Sequence, residues 1–135
     1  MSPAPHAEGV ETKTSPRSVE ETVDRLTQLI ASRDLTLFAV VDHSGAAAEA
    51  GLAMPDTQLV LFGSPAAGTP VMRAAPLAAL DLPLKVLVWE DGEGAVRVSY
   101  NSPTYLAARH HLTADLRARL EGIEAITNAT IAPAS

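Results

Sequence analysis

The sequence predicts an α+β domain, a two-layer sandwich in which a mainly antiparallel sheet opens with a β-α-β unit and carries two longer helices on one face. Three observations predict it. Short β-rich runs recur between Gly, Pro and Ser breaks along 135 residues. Two stretches space their apolar residues at three and four, as a helix does. Residues 84 to 101 read as two strands joined by a tight turn, a connection only antiparallel strands accept.

Residues 1–7 (MSPAPHA) are small, polar and proline-bearing, and are expected to form a disordered tail. Val10, Thr12 and Thr14 share one face of a first strand, placed at a sheet edge. Ser15-Pro16 breaks it. Ser18 and Glu21 then form a capping box, and Val19, Val23, Leu26 and Ile30 make one apolar stripe of a helix that ends near Arg33-Asp34. Leu35 to His43 is a buried strand by length and content, which completes the β-α-β unit. If its two strands lie parallel, the crossover is right-handed. Ser44-Gly45 opens a short alanine-rich helix stopped by Gly51.

Pro55-Asp56 turns into the strand Gln58 to Phe62, and Thr69-Pro70 reads as the cap and first turn of a helix over 71–75 that Pro76 ends. The segment Leu77 to Leu82 fits no single pattern. In the hairpin, a Gly92-Glu93-Gly94 loop sets Asp91 opposite Ala95 and Lys85 opposite Asn101. Val86, Val88, Val96, Val98 and Tyr100 then form a core face. Lys85, Leu87, Trp89, Arg97 and Asn101 form a second, half-apolar face that a helix or another copy of the chain must cover, with Trp89 over Arg97 as a cation–π pair. Ser102-Pro103 starts a helix carrying Tyr105 and Arg109, and Thr113 caps a last helix with Leu116, Leu120 and Ile123 on its stripe. The single domain is expected over residues 8–127, with a frayed tail over 128–135.

Composition removes several function classes. The net charge of −6 argues against a nucleic-acid binder, which concentrates Lys and Arg on one surface. The absence of cysteine excludes thiolate catalysis, disulfides and Cys-ligated metals. Residues 1–16 lack the apolar stretch of a secretory signal, and no segment is apolar for the ~18 residues a membrane span requires. A cytoplasmic protein without membrane or nucleic-acid partners is the expectation.

The run SVEETVDRLTQL (18–29), the segment AGLAMPDTQLVLFGSPAAGTPVM, and the stretches LPLKVLVWED and VSYNSPTYLAARH together resemble the bacterial and archaeal family catalogued as domain of unknown function 302. The likeness spans roughly Gly9 to Thr127. It implies a small cytoplasmic α+β fold opening with a β-α-β unit, often homodimeric, and supplies no catalytic residues.

Three constellations remain as candidates for chemistry. The loop from Gly63 to Pro70 leads from a strand into a helix, where free N–H groups at Gly68 and Thr69 suit an anion; such loops are equally ordinary helix caps. Lys85 is a lone ammonium in an apolar strand, suited to a ligand carboxylate or phosphate, or, with its pKa lowered, to general-base chemistry. Its stem also packs well on a sheet while the ammonium reaches water. Asn101 stands opposite Lys85, and Tyr105 and Arg109, one helical turn apart, are expected to flank the same cleft, although Tyr105 suits the core and Arg109 a solvated helix end better. His43, at a strand end, is the other general-base candidate and the one residue suited to haem or metal ligation, although no second histidine stands at ligand spacing and a structural role fits it as well. The expected site is therefore Gly63, Gly68, Thr69, Lys85, Asn101, Tyr105 and Arg109 around a small anionic ligand, in a homodimer built on Leu87 and Trp89, with no resident metal and the cofactor left open.

Overall fold

A computed structural model describes residues 5–133 and follows the order β1 (Val10–Ser15), α1 (Val19–Ser32), β2 (Thr36–Asp42), α2 (His43–Glu49), β3 (Thr57–Gly63), α3 (Pro65–Ala74), a 3-10 turn (Pro76–Leu80), β4 (Leu84–Glu90), β5 (Val96–Asn101), α4 (Pro103–His110), α5 (Ala114–Ala118) and α6 (Gly122–Ile131). The ends of the two expected tails, residues 1–4 and 134–135, lie outside the described residues.

The strands form one sheet in the order β1-β5-β4-β3-β2, and every neighbouring pair is antiparallel. Four antiparallel steps return the direction, so β1 and β2 run the same way from opposite edges, and α1 crosses the three strands between them. The opening β-α-β unit is thus split by the rest of the sheet. The hairpin register is the expected one, with Trp89 opposite Arg97 and Leu87 opposite Ser99.

One face of the sheet is covered. Val60, Val86, Val88 and Val98 are fully buried at 0% exposure, packed with Phe62 and Tyr100 against Val19, Val23, Leu26 and Ile30 of α1 and Ile123 and Ile126 of α6. Burying a Val or Ile side chain contributes about 1.5–3 kcal/mol, so this layer carries the fold. The capping box at Ser18 and Glu21 forms as the sequence indicates. A second cluster, Val71, Ala78, Leu106 and Leu120, with Leu116 packed against it, joins α3, the 3-10 turn, α4, α5 and the turn after α5 at the end of the sheet where β3 finishes and β4 begins.

Several expectations require correction. The helix after β3 starts at Pro65 with Ser64 as its cap, and Thr69-Pro70 lies inside it. Ser64-Pro65 offers the same hydroxyl cap and first-turn proline one turn earlier, so the chain takes it first. The last helix is two, α5 and α6, broken at Arg119–Glu121, and α6 runs to Ile131 with Thr130 buried. The folded part therefore continues past Thr127, because α6 lies along α1 and Arg25 Nε donates to the Ala129 carbonyl at 3.1 Å. Arg97 does face Trp89, but its guanidinium bonds Asp91 at 3.0 Å and Thr14 at 2.6 Å rather than stacking on the indole, since charged acceptors outbid a ring face. The cation–π pair is instead Lys13 over Tyr100, 5.0 Å from the ring centre. Finally, β2, which the sequence predicts to be buried, is exposed at all seven residues, because it forms the outer edge of the sheet.

Candidate functional site

A cavity of about 320 Å³, walled by hydrocarbon, lies at the end of the sheet where β2 starts, β3 ends and β4 starts. Three pieces of backbone build it. Gly63 ends β3 and Ser64 turns the chain into α3, which presents Pro65, Gly68, Thr69 and Met72 to the cavity. Leu82, Pro83 and Leu84 form the opposite wall, entering β4 through a cis Leu82–Pro83 bond. Leu120 closes the floor, and Phe38 stands at the β2 side with 52% exposure. Phe38 sits at an irregularity in the pairing of β2 with β3, between Leu37 and Ala39, and such a bulge re-aims a side chain.

Gly68 faces the cavity without a side chain, and a Cβ added there meets only the ends of Leu82 and Met72 at ordinary contact distance. The lining is overwhelmingly hydrocarbon. A wall of this kind suits an apolar body, because a bare ion entering it loses hydration without a compensating bond.

Of the residues expected at the site, Gly63, Gly68 and Thr69 come together in this cavity. Their amides do not form an open anion cradle, since Gly68 N donates to the Ser64 carbonyl at 2.8 Å and Ser64 Oγ accepts from Ala67 N. Lys85 lies beside the cavity rather than in its wall. Its Nζ donates to the carbonyl of Pro83, a wall residue, at 3.2 Å. Burial draws the Lys85 ammonium below the ordinary lysine range, and the Asp81 carboxylate acts the other way.

The remaining candidates are elsewhere. Asn101 pairs with Val10 in the β1–β5 ladder. Tyr105 packs into the second cluster, and Gly9 at φ +77° lies so close to its ring that a side chain there would overlap it. Arg109 pairs with Asp81 at 3.2 Å, and His110 Nε2 bonds the same carboxylate. This Asp81–Arg109–His110 knot ties the segment after the 3-10 turn to α4. His43 is the first residue of α2, exposed and away from the cavity; the helix is capped by Asp42, whose carboxylate accepts from Gly45 N at 2.8 Å. Among the described residues that line this cavity, neither His43 nor Lys85 is present. Among the described residues no group of three or more His, Asp or Glu converges as a metal site, and no helix is long and apolar enough to cross a membrane.

Sequence reasoning missed Phe38, Met72, Leu82, Leu84 and Leu120 as wall residues. The signal for Phe38 was present, as one of two phenylalanines in a chain with 4% aromatic residues. The others read as packing positions, and only the fold shows that they pack around a space.

Comparison with known proteins places this architecture. The chain matches the family described as "Domain of unknown function DUF302" over residues 11–129. It is 43% identical over 104 residues, 77% of its length, to proteins named fluoride-specific ion channel FluC 1 from Brucella suis biovar 1 (strain 1330) and from Brucella abortus biovar 1 (strain 9-941). It spans only 41% and 38% of those relatives' lengths. The crystal structure of an uncharacterized conserved protein DUF302 from Bacillus stearothermophilus superposes with a TM-score of 0.75 at 19% identity, over 93% of this chain and 97% of that one. At that identity the likeness is one of fold.

Proposed function

This chain belongs to the family described as Domain of unknown function DUF302, a description that carries no reaction, and from its own site we propose that it is a self-associating binding module rather than an enzyme. Its ligand is a small molecule with an apolar body and one anionic end. The observation that supports this reading most is the hydrocarbon-walled cavity of about 320 Å³ with one partly desolvated ammonium beside its wall. The body fills the space between α3 and the start of β4. The anionic end displaces the Pro83 carbonyl from Lys85, exchanging a neutral acceptor for a charged one.

Octanoate, with octanol as its uncharged counterpart, tests the reading by displacement of the fluorescent probe anilinonaphthalene sulfonate. Saturable displacement by octanoate is expected. Lys85→Met is expected to weaken octanoate about tenfold, the effect of one charge-assisted bond, and to leave octanol nearly unchanged. Gly68→Leu fills the cavity without backbone strain and is expected to abolish both. Unaltered probe displacement in Gly68→Leu overturns the site.

The Brucella relatives favour a second reading, that the module serves beside a fluoride-specific channel. The wall chemistry makes fluoride itself a poor occupant. Fluoride NMR is expected to show no saturable broadening on addition of the protein, and such broadening would reverse this assignment.

A further inference from the structure

We propose that two copies of this chain pair edge to edge through β2, antiparallel about a two-fold axis at Ala39, and that each copy closes the mouth of the other's cavity. The inference rests on the binding reading above, since it names the partner that completes that cavity.

The strand TLFAVVD has no neighbouring strand on its outer side, carries one bulge between Leu37 and Ala39, and is exposed at all seven residues. Sheet edges that stay single are usually guarded by lysine, proline, inward charges or bulges, and of these β2 has only the bulge at Phe38. Here Asp42 is the only charge, and it is occupied by its own helix cap through Ser44 Oγ and Gly45 N. Among the described residues, eight large apolar side chains remain exposed. Six of them lie on β2 or in the segment just after α2: Leu37, Phe38, Val40, Val41, Leu52 and Met54.

The occupant is a second copy because the strand is complementary to itself. A closed two-fold contact uses the same patch twice. With small Ala39 on the axis, Phe38 falls beside the partner's Val40, and Val40 beside the partner's Phe38. The two Asp42 carboxylates are carried to opposite ends of the seam, so a chain of net charge −6 meets itself without like charges facing.

Direction supplies the second half of the argument. The cavity opens where β2 begins, beside Phe38 and Gly63, and an antiparallel neighbour runs its β2 end and α2 past that same place. The partner's Leu52 and the partner's Met54 are thereby brought to the mouth. Phe38 changes from an exposed side chain to a buried wall residue.

The chain lacks cysteine, so single cysteines report position cleanly. The wild type is expected to sediment as a dimer at micromolar concentration. Ala39→Cys is expected to give a disulfide-linked dimer on mild oxidation, and Leu87→Cys on the open sheet face is not. Val40→Lys, at an exposed position, is expected to fold with an unchanged circular dichroism spectrum, to sediment as a monomer and to bind octanoate at least about tenfold more weakly. A monomeric wild type, or linkage through Leu87→Cys in preference to Ala39→Cys, overturns the pairing even if octanoate binds. A linked dimer in which Val40→Lys retains wild-type octanoate affinity overturns the closing of the cavity. A linked dimer that binds no octanoate overturns the binding reading and the cavity half together, and leaves the seam.

Discussion

The two edge strands of the sheet have opposite chemistry. β1 places charged side chains on its core side and fastens each one. Glu11 accepts from the Tyr100 hydroxyl at 2.6 Å, and Lys13 donates to Thr127 Oγ1 at 2.7 Å while its ammonium lies over the Tyr100 ring. Thr12 and Ser99 bond across the open face at 2.8 Å, and Ser99 also accepts from the Trp89 indole at 2.9 Å. β2 has no such fastening beyond its terminal Asp42. The difference teaches that one edge of the sheet is closed by side chains of its own chain and the other is left exposed.

The contrast is sharpest within one cross-strand pair, Leu37 and Phe62, where the partners are 43% and 1% exposed. Phe62→Ala is expected to destabilise the fold by about 3–5 kcal/mol, the cost of a large core truncation. Leu37→Ser is expected to cost well under half of that. Urea denaturation of the two variants, at a concentration where the chain is monomeric, measures both. Equal losses would show that β2 is as buried as β3.

A second probe addresses the fastened edge. Tyr100→Phe removes the hydroxyl from Glu11 and is expected to cost about 1 kcal/mol. Desolvation, with the bond to Glu11, raises the Tyr100 phenol well above its ordinary value of 10.0. The folded state therefore keeps this proton when the unfolded state has lost it. Its contribution is complete below about pH 10 and is lost as the pH rises beyond that. The alkaline fall in thermal midpoint is expected to be smaller in Tyr100→Phe than in wild type.

The hairpin gives the acid counterpart. Backbone N–H bonds from Glu93 and Ala95, aided by Arg97, hold the Asp91 carboxyl below its ordinary 3.8. Its stabilisation is present above that value and disappears as the pH falls through the folded-state pKa. Asp91→Ala is expected to flatten the acid limb of the melting profile between neutral pH and about pH 3. The smallest effect belongs to the bare edge: Val41→Thr is expected to shift monomer stability within about 0.5 kcal/mol. A larger loss would mean that β2 is packed by its own chain.

Much of the architecture was legible because local rules and tertiary outcome agreed. The Ser18 box, the α1 stripe, the hairpin register and the β5-to-α4 turn at Ser102-Pro103 each depend on residues within a few positions of one another. The start of α3 misled because two Ser/Thr-Pro pairs stood five residues apart and only packing shows that the first one is used. The β2 run misled for a different reason. Composition reports that a strand is to be covered, and says nothing of whether the cover comes from the same chain. The site was half legible: Gly63, Gly68 and Thr69 surround the cavity, whereas Arg109 was claimed by Asp81, a partner 28 positions distant that no spacing rule connects.

Arg17 donates to the carbonyls of Thr130 and Ala132 at 2.9 and 2.8 Å, which holds the end of α6 beside the exit from β1. The segments leading into and out of the folded part consequently flank the same strand. A tether at either terminus, whether a resin or a biosensor surface, grips the domain by its β1 flank. The opposite flank then points away from the anchor, accessible to whatever arrives from solution.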